Sequence, residues 1–205
     1  MVYTPLLALL VGYVLGSLPF GVWVARANGV DIFAVGSGNP GATNVKRSVG
    51  KGAGNLVFLL DFLKGVLATL WPVLPLFSFG DAEVAERMAV AGLVGAIVGH
   101  SYSCFIGFRG GKGVATSIGG LLALCWPVAL IGVAVWVVVF YTTRYVSLGS
   151  ILLAASLPVS AWLLHRTPFL TMFFGLLAVF IILRHRENIA RLLAGKESKF
   201  AKKKP

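Results

Sequence analysis

Charge is scarce in this sequence. Lys, Arg, Asp and Glu make up 12% of its 205 residues, about half the share of an ordinary soluble domain. So few charges cannot cover the core that a soluble chain of this length would build, which argues for an integral membrane protein. Cysteine is scarcer still. Cys104 and Cys125 stand alone, with no CxxC pair, so neither a disulfide framework nor a zinc signature is present; both are read as packing residues. No cluster of metal-ligating residue types stands out, and neither metal nor cofactor is expected. Basic residues are absent before Arg26, so the first apolar run does not read as an ordinary signal peptide.

What the chain has instead is apolar length. Hydrophobic residues make up 58%, in runs near 4–25, 53–79, 88–108, 114–125, 126–142, 148–164 and 168–183. Several approach the ~20 residues that cross a bilayer as helix. The fourth and fifth runs are continuous except at Trp126-Pro127, where Pro removes a donor and restrains the residue before it. Charge decides the count. Seven spans place Arg26, Lys46, Arg47, Lys51, Arg109, Lys112, Arg144 and the basic tail on one face, leaving Arg87 and Arg166 on the other; six spans would turn the tail outward, against the positive-inside bias. The expectation is an all-α integral membrane protein of seven transmembrane helices, with a short fourth span, the N-terminus outside and the C-terminus cytoplasmic. It is one domain over 1–205, with 196–205 a loose basic tail near anionic lipid. The net charge of +11 follows from this topology, and no nucleic-acid partner is expected.

Three polar segments then fall on the cationic face. In "RGGKGVAT", Gly110, Gly111 and Gly113 let backbone N–H groups approach a ligand. The helix that begins there points its positive end outward, and Lys112 adds a full charge. These features suit a phosphate. The segment is not a nucleotide P-loop, because Ile106 replaces the first Gly and Gly113 the Ser/Thr. A flexible turn with a snorkelling Lys accounts for it equally well. In "SGNPGATNVKRSVGKG", Pro40 stiffens a turn, Ser37, Asn39, Thr43 and Asn44 supply donors and acceptors, and Arg47 can grip a phosphate bidentately. On its own this loop is slightly better explained as a capped loop with cations against lipid headgroups. "RHRENIARLLAGKE" reads as a helix with Arg184, His185, Asn188 and Arg191 on one side and Ile189, Leu192 and Leu193 on the other, stopped by Gly195. A juxtamembrane amphipathic helix is the plainer reading, although His185 can serve as acid or base near neutral pH. Within the bilayer, Asp61 and Lys64 stand at i, i+3 and read as a neutralising structural pair. His100 reads as hydrogen-bonded to the polar interior, and Gly12 and Gly16 as a close-packing helix face.

The motifs "SGNPGATNVKR", "GGKGVATS" and "RHRENIARLLAGKE" resemble the three signature regions of the bacterial acyl-phosphate:glycerol-3-phosphate acyltransferases, the PlsY type. "DFLKG", "GHSYSCF" and "RYVSLGS" are also similar to that family; Tyr102 stands where a Phe is commoner. The resemblance runs from the first span to Glu197. It implies a seven-helix enzyme of the bacterial inner membrane with its site on the cytoplasmic face. Such an enzyme transfers a fatty acyl group from acyl phosphate to the 1-hydroxyl of glycerol 3-phosphate, releasing lysophosphatidate and phosphate, the first acylation of phospholipid synthesis. The expected partners are these two substrates and membrane lipid, and the protein is expected to act as a monomer.

The residues accommodate that chemistry. The expected catalytic residues are Lys112, Ser37 and His185. Lys112 and the Gly loop would hold the acyl phosphate; Arg47, Ser37, Asn188 and His185 would orient the acceptor. Asn39, Asn44, Thr116, Ser150 and Glu197 complete the expected binding set. A His-x-x-x-x-Asp box is absent, since Phe105, Leu170 and Ala190 stand at the Asp places after His100, His165 and His185. The mixed anhydride is already activated, so direct attack without an acyl-enzyme is expected, the proton passing to a substrate phosphate oxygen or to His185. A transporter for an organic phosphate is the competing class; it fits less well, because the cations gather at one face and not at the midplane. A membrane scaffold would not need the Gly–Lys loop.

Overall fold

Long apolar runs in a lipid environment must satisfy every backbone polar group internally, and helices do so. The computed structural model describes residues 3–74 and 81–200. All the named elements among them are helical. They are α1 (Tyr3–Ser17), α2 (Phe20–Ala27), α3 (Ala42–Ser48), α4 (Lys51–Leu70), α5 (Ala82–Ser101), α6 (Val114–Thr143), α7 (Val146–Leu163), α8 (Pro168–Arg184) and α9 (Arg186–Leu193). The far end of the second apolar run, 75–79, and Lys202, Lys203 and Lys204 of the expected tail lie outside the described residues. The fold divides between Leu124 and Cys125 into two units. The division falls where the α6 backbone leaves helical values, at Cys125 (φ −154°, ψ 74°). Pro127, two residues on, cannot donate to Ala123, which explains a break within two residues of the expected one.

By length and apolarity four stretches can cross a bilayer: Pro5–Ala27, Lys51–Val73, Val114–Thr143 and Val146–Leu163, with the bent pair α8–α9 a fifth. That is fewer than seven. On this measure α6 counts once, and α5 carries Glu83, Glu86, Arg87 and His100 among its 20 residues. The faces nevertheless read as membrane faces. Along α4, Leu56, Leu59, Leu63 and Leu67 are exposed at helical spacing, while Val57, Asp61, Lys64, Gly65 and Ala68 are buried on the opposite side. An apolar outside with an ionic inside is the arrangement lipid demands.

In the first unit α1 packs on α5 without side chains between them. A methyl added at Gly12 or Gly16 would fall on the Gly92 or Ala96 carbonyl, and one added at Gly95 or Gly99 on the Leu9 or Tyr13 carbonyl. The expected small-residue face of α1 thus meets a matching one on α5. The first apolar run is not one helix but breaks at Leu18-Pro19 between α1 and α2. Carbonyls freed by such a break need partners at this depth. Ser103 Oγ donates to the Ser17 carbonyl (2.5 Å) and Lys64 Nζ to that of Leu18 (3.1 Å).

The second unit holds a further break. The segment expected as one helix from Arg184 bends by 61° between α8 and α9, so Arg184 does not share a helix face with Asn188 and Arg191. His185 causes it: its ring Nδ1 reaches the Ile181 carbonyl (2.8 Å), ending α8 by satisfying a last-turn acceptor. Leu193, expected on the apolar side of this segment, is 85% exposed. Cys125 is buried as expected, but Cys104 is exposed in the turn after α5 and is not a packing residue.

Candidate active site

The first polar segment docks through its apolar residues. Ile32 and Val45 join Val22 and Ala25 of α2 and Val57 of α4 in one buried cluster, with Ile106 packed against it. Part of the expected loop is the short helix α3, which carries Arg47 in its last turn; its seven residues leave little periodic signal to read. Asn44 is buried and its amide is used locally. Its Oδ1 accepts from Ser37 N (3.0 Å) and its Nδ2 donates to Val35 O (3.1 Å). Asn39 Oδ1 accepts from Gly41 N (2.9 Å), an Asx turn that stiffens the approach to α3. These two amides shape the loop that presents Ser37 and Arg47, both exposed.

The second segment folds back on the end of α5. Ser103 N donates to Arg109 O (3.1 Å) and Gly111 N to His100 O (3.0 Å). Gly113 turns the chain into α6 at φ +80°, a conformation that favours glycine. The first N–H groups of α6, beside half-buried Lys112, form a ready place for an anion. Thr116 and Ser117 follow in the first turn, both fully buried, with hydroxyls that lack a hydrogen-bond partner among the described residues.

The structure brings these two segments together. The Arg109 guanidinium lies 3.8 Å from the Phe33 ring centroid, and Pro40, Gly110 and Gly111 line one cleft with Asp61, Lys64 and His100. Asp61 and Lys64 are buried, with Lys64 Nζ 2.8 Å from Asp61 Oδ1 and His100 Nδ1 3.5 Å from the same oxygen. The pairing was legible from the i, i+3 spacing; its place in the cleft wall was not, because α4 enters from a distant part of the chain.

The third segment lies in the second unit and forms its own cluster. Glu197 Oε1 accepts from Ser147 Oγ (2.6 Å) and Asn188 Nδ2 (2.7 Å), and Oε2 from Arg191 Nε (2.7 Å). Burial pushes the Glu197 carboxyl up, but these three hydrogen bonds and the Arg191 charge outweigh it and hold the group below the usual carboxylate range. Such a carboxylate clamps the chain after α9. Phe200 N donates to Arg144 O (2.9 Å) and its ring meets Phe140, so residues 196–200 of the expected loose tail are strapped down. Ser150 bonds back to the Val146 carbonyl (2.9 Å). His185 is 3% exposed, and because the carbonyl beside Nδ1 only accepts, Nδ1 carries a proton. The strap has a testable pH dependence. The lowered Glu197 value adds stability that is complete above the unfolded-chain value of about 4.3 and is lost as pH falls through the folded value. The protection of the Phe200 amide against exchange, relative to the unfolded chain at the same pH, is expected to fall below that range, and Glu197→Gln should show the lowered protection already at pH 7.

A family model described as glycerol-3-phosphate acyltransferase matches residues 6–195. The chain belongs to the glycerol-3-phosphate acyltransferase family. Relatives with that description include a protein of Synechococcus sp. (strain JA-3-3Ab), 46% identical over 97% of this chain and 94% of its own length. Another, from Geobacter sulfurreducens, is 45% identical over 93% and 94%. Two crystal structures of PlsY (YgiH), an integral membrane glycerol 3-phosphate acyltransferase, share the fold. The glycerol 3-phosphate form superposes with a TM-score of 0.88 at 40% identity, covering 96% of each chain. The lysophosphatidic acid form gives 0.83 at 42%, covering 96% of this chain and 95% of that one. This glycerol-3-phosphate acyltransferase is therefore a membrane enzyme of phospholipid synthesis, and the resemblance of its three motifs is borne out at the level of the family.

Proposed function

We propose that the chain is a single membrane-embedded domain that transfers a fatty acyl group from acyl phosphate to the 1-hydroxyl of glycerol 3-phosphate. The observation that carries this reading is the cleft where Pro40 of the first motif meets Gly110 and Gly111 of the second, beside Lys112 and the start of α6. Each substrate carries a phosphate, and this place offers a backbone and side-chain cradle for one. That the two similar crystal structures are a glycerol 3-phosphate form and a lysophosphatidic acid form supports the acceptor and the product.

In the proposed reaction, Lys112 and the α6 N–H groups hold the phosphate of the donor and stabilise charge developing on the carbonyl oxygen and leaving phosphate. Arg47 and Ser37 bind and orient glycerol 3-phosphate. Its hydroxyl oxygen attacks the acyl carbonyl carbon, the bond from that carbon to the bridging phosphate oxygen breaks, and the hydroxyl proton passes to a phosphate oxygen. The products are 1-acylglycerol 3-phosphate and inorganic phosphate. Asn39 and Asn44 support the site by shaping the loop that carries Ser37 and Arg47.

The proposal includes seven spans, with α5 and the two halves of α6 crossing separately, the N-terminus outside and the cationic face in the cytoplasm of a bacterial inner membrane. It also takes the monomer as the working unit. The test is direct: purified protein in detergent with palmitoyl phosphate and glycerol 3-phosphate is expected to release phosphate and form lysophosphatidate in equal amounts. Product from an acyl thioester donor but none from the acyl phosphate would overturn the donor assignment.

A further inference from the structure

The sequence explains Asp61 and Lys64 as mutual neutralisation, and the structure shows more. A single carboxylate oxygen, Asp61 Oδ1, faces both the Lys64 ammonium (2.8 Å) and His100 Nδ1 (3.5 Å). Lys64 is held from its far side by the Leu18 carbonyl at the α1–α2 break. His100 in turn touches the Gly loop twice. Its carbonyl accepts from Gly111 N (3.0 Å), and its ring stands against Gly111 so closely that a methyl there would fall on Nε2. The residue after Gly111 is Lys112. A continuous buried chain therefore runs from the break in the first span, through Lys64 and Asp61, to the imidazole that backs the loop.

We propose that His100, oriented by the Asp61 carboxylate, is a positioning residue that sets the backbone of Gly110 and Gly111 and thereby the aim of Lys112 and the α6 N-terminus. The inference rests on the reading that this loop holds the donor phosphate. A carboxylate beside Nδ1 fixes which face of the ring turns toward the loop. Glycine at 111 gives the ring room to lie flush, and the ring keeps the flexible glycine from relaxing away. Lys112 and the first N–H groups of α6 must be aimed at a single phosphate, and a misplacement of about 1 Å is enough to cost 10²-fold in rate.

The test uses the full-length enzyme in detergent with palmitoyl phosphate and glycerol 3-phosphate. His100→Gln is the main variant, because it keeps the Asp61–Lys64 pair intact. Asp61→Asn accompanies it, and is secondary because it leaves the Lys64 ammonium buried without its counter-charge. For His100→Gln the expected result is a fall in kcat of about 10²-fold and a higher KM for palmitoyl phosphate. KM for glycerol 3-phosphate and the melting temperature should stay near the parent's. Per folded enzyme, adding Asp61→Asn to His100→Gln is expected to cost less in kcat than Asp61→Asn costs alone, because part of its effect passes through that ring. A His100→Gln enzyme with parental kcat and KM would overturn the inference, as would losses in kcat that merely follow lost folded protein. Parent enzyme inactive on palmitoyl phosphate would instead overturn the donor reading, so the two failures are distinct.

Discussion

Lys112→Ala is expected to lower kcat by about 10³-fold, the upper range for removing one donor from a charge-stabilising site, while the protein elutes and melts as the parent does. The fold should survive because the loop's shape is set by the main chain. Gly111 N to His100 O, Ser103 N to Arg109 O and the left-handed turn at Gly113 all remain after truncation. What goes is the full charge beside the α6 N-terminus. Partial charges there are equivalent to about half an elementary charge, too little alone to hold a phosphate and to meet the charge that appears as the anhydride breaks. Lys112→Arg keeps the charge but spreads it over a planar fork, and should recover part of the rate. Steady-state kinetics on both substrates provide the check. A Lys112→Ala enzyme within tenfold of the parent kcat would remove Lys112 from the chemistry.

Where local rules sufficed, the sequence could be read. Helical class followed from apolar length, because lipid leaves the backbone no other partner. The break near Pro127 and the Asp61–Lys64 pairing followed from proline chemistry and i, i+3 spacing. Reading failed where a side chain from elsewhere decides the backbone. The break at Leu18-Pro19 is held by Ser103 and Lys64, 86 and 46 positions from the carbonyls they bond, and no window of sequence reveals those partners. The bend at His185 reads in the sequence as helix continuing, since neither Pro nor Gly marks it, and the ring's reach to the Ile181 carbonyl is visible only in the fold.

The site divides in the same way. Gly110, Gly111, Lys112 and Gly113 announce an anion loop by composition, and Ser37 and Arg47 stand exposed as a binding loop would present them. Asn44 and Glu197 show the limit of residue type as a guide. Both were expected as binding residues, and the structure adds what residue type could not show: Asn44 bonds Ser37 N and Val35 O, and Glu197 bonds Asn188 and Arg191. His100 was legible only as a polar residue late in an apolar run. Its bearing on the loop arises from the α5 turn that brings Gly111 back against it.

Gly95→Ala is expected to cost about 3 kcal/mol of stability, the upper end for overpacking, although alanine is the better helix former. Its methyl would fall on the Leu9 carbonyl with the Tyr13 amide close by, so α1 and α5 must separate. Dispersion between backbones in contact falls steeply with distance, and lipid supplies no hydrophobic force to press the helices back together. The separation reaches the site, because α1 ends at Ser17 and α5 carries His100, and both line the cleft. Gly175→Ala in α8 is the control: no atom lies within 4 Å of its added methyl, so it should stabilise by about 0.5 kcal/mol or more through propensity alone. Melting in detergent, followed by the fraction remaining monodisperse, reads both. The opposite signs are the content of the prediction, since helix propensity treats the two substitutions alike and only the backbone seam separates them. Equal melting temperatures for the two variants would mean that α1 and α5 are not packed through their glycines.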